Sequence, residues 1–382
     1  MLKIAVGHSI DPDSLEAVHE VLAQCQDSLA GQRPQAGILF AAIDFEHALI
    51  LNCIQEAFPG IQLIGGTTDG EVSSVMGFQQ DSLTLMVFCA DDIEFQAAVG
   101  RNVSQDPVAI AQTTVNDCKP QLTLPLRFCL TSPESLTTSA SLILQGLKIA
   151  LGDIPIFGGT TGDQTKTVQT YQFFNTEVLS DAVPILLVAG NVLFSHQVAS
   201  GWRPIGKRST VTKVDHNIIY EIDGKPALAF YQHYLDEFAP DVAYPLAIFP
   251  PGEDNFFLRG ALSHDPERGS LTVAADVPEN SIIQITEASE TDIISASRTA
   301  FSQAWDAYPG AEPAAALFFS CAWRRFILGT QTDQEYATIA NRLENPLPSC
   351  GFYTYGEIAP LRVNGPTFFH NTTFSTLLIG SR

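Results

Sequence analysis

The C-terminal third of the chain carries residue types that can hold a small charged ligand. Three polar groups adjoin apolar, strand-like runs, and their members are Cys321, Arg324, Tyr353, Tyr355, Glu357 and Asn371. Polar residues at strand ends gather at one edge of a sheet, where pockets form. We expect Arg324 to hold a carboxylate by a bidentate contact and Glu357 to hold an ammonium group. The two tyrosines would close over the aliphatic part, Asn371 would line the pocket, and Cys321 would lie at its edge.

This arrangement suits an amino acid or a similar small zwitterion. The alternative is that Arg324 and Glu357 form a structural ion pair beneath a loop, since such pairs often only satisfy each other.

A second set of candidate residues lies in a repeated Gly-Gly-Thr-Thr motif. Residues 61–70 recur in similar form at 154–163, 93 residues later. The ligand-binding candidates in the two copies are Gly65, Gly66, Thr67, Gly158, Gly159 and Thr160. Adjacent glycines let a backbone approach a ligand closely, and loops after strands bind ligands in open α/β sheets. The alternative is a tight structural turn.

The surroundings of the motif repeat as well, which indicates the fold. An apolar run and a helix pattern precede each copy and a strand-like run follows it, over residues 37–90 and 126–190. A third, fainter copy uses residues 315–321, 332–343, 351–356 and 374–379. The sequence therefore predicts an α/β fold of repeated strand–helix–strand–strand units, with mixed sheets covered by helices, in two domains. We expect the first two units to share one topology.

Capping residues predict where several helices begin. Asp11 is expected to cap a helix over residues 13–29, whose apolar positions recur at helical spacing. Ser132 is expected to open a helix that ends near Leu151, and Thr332 to start a third with a capping box.

Composition limits the class of protein. The chain has 382 residues, 45% hydrophobic and 16% charged, with a net charge of −22. This is a globular balance, and such a charge repels nucleic acid and anionic lipid, so neither is an expected partner. The seven cysteines show no CxxC spacing, which argues against a disulfide framework or a zinc site. With no secretory pattern at the N-terminus and no apolar run of about 18 residues, we expect a cytoplasmic protein without a membrane span.

Catalysis has little support in the sequence. The eight histidines are scattered singly, and no GxSxG or HExxH motif occurs. We therefore expect a binding protein and no enzyme. An enzyme that uses Cys321 as its nucleophile is the alternative.

Taken together, these residues resemble the FIST family, a two-part bacterial sensory module. The segments similar to its FIST N and FIST C parts are 64–71, 211–228, 320–324, 351–360 and 369–372. The resemblance implies a FIST N-like domain over residues 1–220, containing two internal repeats, and a FIST C-like domain over 221–382. We expect that boundary to be accurate to about 15 residues.

The resemblance also implies a function. Members of this family are intracellular sensors of small ligands, usually proposed to be amino acids, and they act through signalling proteins. Here the partner would be a separate histidine kinase, cyclic-di-nucleotide enzyme or chemoreceptor-type protein. Some stand-alone relatives bind haem and sense nitric oxide, so a haem-binding sensor is the alternative, although no haem-ligating motif is present in this sequence. Otherwise no cofactor is expected.

Overall fold

Most of the chain forms three units with one order of elements, which begin at residues 3, 93 and 192. The computed structural model describes residues 2–235, 241–252 and 255–381. The first unit consists of β1 (Lys3–Ser9), α1 (Ser14–Leu29), β2 (Ala36–Ala41), α2 (His47–Ala57), β3 (Gln62–Thr67), β4 (Glu71–Ser73), β5 (Gly77–Gln79) and β6 (Leu83–Cys89). The second consists of β7 (Ile93–Arg101), α3 (Pro107–Cys118), β8 (Leu126–Thr131), α4 (Ala140–Leu151), β9 (Ile156–Gly159), β10 (Gln172–Phe174), β11 (Glu177–Leu179) and β12 (Ala182–Gly190).

The third unit is interrupted after its first strand, β13 (Val192–Ala199). The inserted segment contains β14 (Arg203–Asp215), β15 (Ile218–Ile222), β16 (Lys225–Pro226), α5 (Ala227–Leu235), β17 (Leu246–Phe249), β18 (Phe257–Arg259), β19 (Ala261–Asp265), β20 (Ser270–Val273) and β21 (Ile282–Glu287). The third unit then continues with α6 (Glu290–Asp306), β22 (Ala315–Cys321), α7 (Ala322–Leu328), α8 (Asp333–Ala340), β23 (Ser349–Thr354), β24 (Glu357–Pro360), β25 (Thr367–His370) and β26 (Phe374–Ser381).

The three units exchange hairpins in a closed cycle. Their sheets have the orders β1-β6-β2-β3-β10-β11, β7-β12-β8-β9-β24-β25 and β13-β26-β22-β23-β4-β5. Each sheet thus takes four strands from its own unit and a two-stranded hairpin from another. The expectation that residues 37–90 and 126–190 share one topology is confirmed, and the third unit follows the same plan.

The inner faces of the three sheets share one apolar core. It contains Phe40 of the first sheet, Phe128 of the second and Phe319 of the third. The Phe40 and Phe352 rings lie 4.3 Å apart between centroids, which places the first and third sheets in direct contact. Helices α1 and α2 cover the outer face of the first sheet, α3 and α4 that of the second, and α6 and α8 that of the third. The predicted α/β class with helix-covered mixed sheets is therefore confirmed.

The inserted segment forms a sheet of its own and lies in the chain between β13 and α6 of the third unit. Its strand order is β18-β17-β21-β14-β15-β20-β19, with β16 on β15, and it has a separate core. The expected domain boundary at residue 220 lies inside β15. Three of the four sheets contain strands from both sides of that residue.

Three predicted helix caps differ from the structure, although α8 does begin directly after Thr332 as expected. Asp13, and not Asp11, caps α1 through its side-chain carboxylate. No helix begins at Ser132; the carboxylate of Glu134 accepts backbone N–H groups there, and α4 starts only at residue 140. The Thr332 hydroxyl donates to the carbonyl of residue 329 and makes no capping bond. Of the three helices, only α1 receives a side-chain cap from a neighbouring residue.

Within the three described ranges, no helix combines the length and the apolar character that crossing a membrane requires.

Candidate functional site

The three strands that lead into the exchanged hairpins end at one place. Strands β3, β9 and β23 each lie parallel to an earlier strand of their own unit. The turns that follow them are joined by backbone hydrogen bonds, such as Asp69 N to Tyr353 O at 2.9 Å and Gly162 N to Thr67 O at 2.8 Å. We call residues 65–71, 158–163 and 351–357 the turn junction. The two Gly-Gly-Thr-Thr motifs and the aromatic turn, predicted from separate parts of the sequence, thus meet.

The glycines of the junction serve close packing of the backbone. A Cβ atom on Gly65 would lie 1.9 Å from the carbonyl oxygen of Leu39, and one on Gly158 would lie 1.8 Å from that of Thr131. Both glycines have φ near +150°, at 154° and 151°. No other residue fits either position. These contacts support the structural alternative for the two motifs.

The second glycine of each motif packs against a neighbouring turn. A Cβ on Gly66 would lie 2.3 Å from the Thr161 side chain, and one on Gly159 would lie 2.7 Å from the Thr354 hydroxyl. The hydroxyl of Thr67 accepts from a backbone N–H at 3.0 Å, and both threonines of the second motif are fully buried.

Two buried glutamates occupy equivalent positions at the start of their hairpins. Glu71 begins β4 and accepts from the Ser82 hydroxyl at 2.5 Å and from Thr68. Glu357 begins β24 and accepts from the backbone N–H and the hydroxyl of Thr373, at 2.9 and 2.6 Å. Burial raises the pKa of Glu71 to about 7 and that of Glu357 to about 8. Both carboxyl groups thus hold their protons more strongly than a solvated glutamate.

Arg324 is fully buried and each of its three side-chain nitrogens has an acceptor. Its partner is Glu335, which accepts from Nε at 3.0 Å and from Nη2 at 2.5 Å. The hydroxyl of Tyr353 donates to the other oxygen of Glu335 at 2.7 Å. The expected contact of Arg324 with a ligand carboxylate is therefore replaced by an internal ion pair, and its acidic partner is Glu335 and not Glu357.

The neighbouring arginine forms a more accessible pair. Arg325 donates to the carboxylate of Asp69 at 2.9 Å, with 17% of the arginine side chain exposed and none of the aspartate. Burial raises the pKa of Asp69, while Arg325 opposes that shift. Tyr355 donates to Asp163. Burial alone would raise the pKa of Asp163, but the bonds from Tyr355 and from three backbone N–H groups outweigh it and lower that pKa.

Cys321 is buried at the end of β22. Burial, together with the nearby Glu357, raises the pKa of its thiol well above the usual value. The nucleophilic thiolate is therefore disfavoured, and the geometry does not support the alternative of a cysteine-dependent enzyme.

Asn371, a predicted site residue, contacts an arginine that was not predicted from the sequence. Its amide oxygen accepts from Nη1 of Arg259 at 3.4 Å, and the carbonyl of Phe369 accepts from the same nitrogen at 3.1 Å. Arg259 ends β18 and is 4% exposed. An isolated arginine inside the apolar stretch 256–260 was the available signal. Burial lowers the pKa of Arg259 to about 9, although Asp276 and Glu357 oppose the shift.

Arg259 lines a cleft of about 730 Å³ between the inserted segment, α4 and β25. The residues that contribute charge or aromatic surface to its walls are Lys148, His216, Phe257, Arg259, Asp276, Phe368 and Phe369. None of the predicted site residues lines this cleft, and Asn371 is linked to it only through its hydrogen bond with Arg259. The predicted residues are thus gathered at the junction, while this cleft lies beside it.

The fold and the junction together define a class of α/β protein, built from three units that exchange hairpins around a buried polar centre. Comparison with known families identifies this class. Residues 35–225 match the FIST N domain and residues 227–360 match the FIST C domain. The chain belongs to the FIST family, as the sequence resemblance predicted. The domains of this family are sensory, small-ligand-binding domains of signalling proteins.

Related chains span the full length of this one. The uncharacterised protein Rv0628c of Mycobacterium tuberculosis is 26% identical over 406 residues, covering 99% of both chains. The uncharacterised protein Mb0898c of Mycobacterium bovis is 25% identical over 394 residues, covering 99% of this chain and 98% of the other. An uncharacterised protein of Methanocaldococcus jannaschii, MJ1623, is 26% identical over 209 residues, 52% of this chain and 39% of its own.

Two solved structures are similar over the whole chain at low scores. A chorismatase has a TM-score of 0.38 at 10% identity, covering 100% of this chain and 98% of its own. A cyanuric acid hydrolase from A. caulinodans has a TM-score of 0.38 at 11% identity, with complete coverage of both. Likeness at this level carries no argument about activity.

Proposed function

We propose that this protein is a non-enzymatic cytoplasmic sensor that binds an amino acid or a similar small metabolite. It regulates a separate signalling protein, of the histidine kinase, cyclic-di-nucleotide enzyme or chemoreceptor type. Membership of the FIST family supports the sensory role. The ligand class and the partner are our inference.

The observation that carries the proposal is the position of the cleft. Its walls come from α4 of the second unit, β25 of the third unit and the inserted segment. A ligand that contacts all three favours one arrangement of these parts over others, and only such differential binding can convert occupancy into a signal. We propose that the buried residues of the turn junction pass this bias on to the three sheets, because their backbones are joined there.

No buried histidine of the described residues lines the cleft. His8 lies between two serine hydroxyls, and His47 and His370 each contact a backbone carbonyl at 2.9 and 2.8 Å. None of these lines the cleft. His216 does, but its side chain is 70% exposed. We therefore route no step of the proposed function through haem.

A thermal-shift screen of the purified full chain against amino acids and related metabolites tests the proposal. A ligand at 100 times its Kd stabilises the folded state by about 2.7 kcal/mol, which raises the melting temperature measurably. The matched control is the Ser141→Trp variant, in which a large side chain on α4 fills the cleft. We expect at least one amino acid to stabilise the wild type.

Failure of every compound in the screen would remove the proposal. An absorption band of haem in the protein as purified would replace it with the gas-sensing alternative.

A further inference from the structure

The cleft contains a buried cation whose hydrogen-bond capacity is not used up. Arg259 donates from Nε to the carbonyl of Asp276 at 3.2 Å and from Nη1 to two carbonyls and the Asn371 amide. Nη2 has no partner among the described residues, and it is not sealed from solvent. Because Arg259 lines the cleft, Nη2 is the donor nitrogen of this side chain that is left for a ligand there.

All the acceptors that Arg259 contacts are neutral. A buried guanidinium normally has a carboxylate in direct contact, because desolvating an uncompensated charge is costly. Here no carboxylate of the described residues forms a hydrogen bond with it. An anionic ligand group at Nη2 would supply the missing partner.

The charge of the remaining walls favours the same sign of ligand group. Lys148 lines the cleft with its ammonium nitrogen 5.7 Å from the centre of the Phe368 ring, and burial lowers its pKa. His216 also lines the cleft. In a chain with 42 acidic and 20 basic residues, a cleft with these groups and one acidic side chain, Asp276, is locally positive.

Asp276 lies beside the arginine. Its backbone oxygen accepts from Arg259, and its side chain, which forms no hydrogen bond with the described residues, is part of the cleft wall. An acceptor beside a carboxylate-binding donor matches a ligand whose ammonium group adjoins its carboxylate. The other walls are apolar and include Phe257, Phe368 and Val277.

We propose that the cleft binds an amino acid with an apolar side chain, its carboxylate at Arg259 Nη2, its ammonium group at Asp276 and its side chain against Phe257 and Phe368. This inference rests on the proposed sensory function and names its site and its ligand class. Binding would join the inserted segment to α4 and β25 through one molecule.

Three ligands with the same ring test the assignment by calorimetric titration of the full chain. They are L-phenylalanine, 3-phenylpropionate, which lacks the ammonium group, and phenethylamine, which lacks the carboxylate. We expect phenylalanine to bind most tightly and phenethylamine least, since the amine loses the contact with Arg259 and meets a positive site. Each lost charge-assisted bond should weaken binding about 10- to 100-fold.

Two variants locate the site without altering Arg259, whose loss could affect folding. Asp276→Asn should weaken phenylalanine binding about 10-fold or more and leave the affinity for 3-phenylpropionate unchanged. Ser141→Trp should abolish binding of both. The matched controls, Glu279→Gln and Asn52→Trp, change exposed residues outside the cleft lining and should bind as the wild type does.

The outcomes separate this inference from the proposed function. If an amino acid binds the wild type and Ser141→Trp equally, the cleft is not its site, although the sensor proposal stands. If Asp276→Asn weakens all three ligands alike, the ammonium contact is wrong. If only polar amino acids bind, the apolar class is wrong. If no amino acid or related metabolite binds, both proposals fail.

Discussion

Two buried arginines show how the turn junction and the cleft differ. Arg324, which packs against the junction, has an acceptor for each side-chain nitrogen and a carboxylate partner in Glu335. Arg259, in the wall of the cleft, has neutral acceptors for two nitrogens and, within the part of the chain that the structure describes, none for the third. The first is satisfied by the fold, while the second has donors left over.

Polar residues at strand ends serve two purposes in this fold, which are to join the sheets and to remain open to a ligand. At the junction they join three sheets, and the polar groups of Arg324, Tyr353 and Tyr355 are used by the protein. Three junction oxygens, Asp69 Oδ1, Thr160 Oγ1 and Glu357 Oε1, have no hydrogen-bond partner among the described residues, but they are sealed from solvent. In the cleft the same kinds of group remain open. Residue type alone does not distinguish these cases, because the difference lies in whether each donor and acceptor has an internal partner.

The largest effect that sharpens this comparison is expected from removing one arginine at a time. Arg324→Met should lower the free energy of unfolding by about 3–5 kcal/mol, since it leaves Glu335 buried and unpaired. Arg259→Met leaves no hydrogen-bonded carboxylate without its partner, so its cost should be smaller, while ligand binding is lost. Urea denaturation and calorimetry measure the two quantities.

The decisive result is the difference between the two variants in stability and in ligand affinity. Equal destabilisation by the two substitutions would contradict the distinction drawn between the arginines. Loss of ligand affinity in the folded fraction of Arg324→Met would return Arg324 to the ligand site that the sequence predicted.

The second effect concerns pH and the buried carboxyl groups of the junction. Burial raises the pKa of Glu357 from its ordinary value of 4.5 to about 8, so the folded state retains a proton that the unfolded state releases between these values. The contribution of Glu357 to the free energy of unfolding therefore falls as pH rises, by about 1.4 kcal/mol per pH unit between pH 5 and 8. Glu357→Gln should remove this part of the slope, while Glu71, whose pKa is raised to about 7, keeps its own part.

Denaturation of the wild type and of Glu357→Gln at pH 5, 6, 7 and 8 measures the difference. Glu279→Gln, at an exposed position, serves as the control and should keep the wild-type slope. Parallel curves for all three proteins would show that Glu357 is ionised in the folded state.

Much of the fold could be predicted because its cause is local and repeated. Apolar runs such as 37–43 and 126–130 and the recurring glycine motif correspond to equivalent strands and turns of two units. The exchange of hairpins could not be predicted in this way, since a pairing such as Glu71 with Phe352 depends on contacts far apart in the chain.

The candidate site was predicted less well, for a geometric reason. Because successive residues of a helix point about 100° apart, the adjacent Arg324 and Arg325 of α7 have different surroundings. The first reaches Glu335 and the second reaches Asp69. Arg259 escaped notice because it lies in the inserted segment, and the residue that supports it, Asn371, is 112 positions away.

The smallest effect is expected from substituting a cleft residue that contributes little to the stability of the fold. The Lys148 side chain forms no hydrogen bond with the described residues, and it contacts the Phe368 ring. Lys148→Met keeps the length of the side chain and removes its charge, so stability should change by less than about 1 kcal/mol, the value of one cation–π contact. The affinity for 3-phenylpropionate should fall about 5-fold, and added salt should narrow that difference, because the attraction is a screened charge effect.

Lys225→Met, at an exposed position outside the cleft lining, is the control. A large loss of stability in Lys148→Met, with ligand affinity unchanged, would assign this lysine to the fold and leave Arg259 as the sole cationic anchor proposed for the ligand.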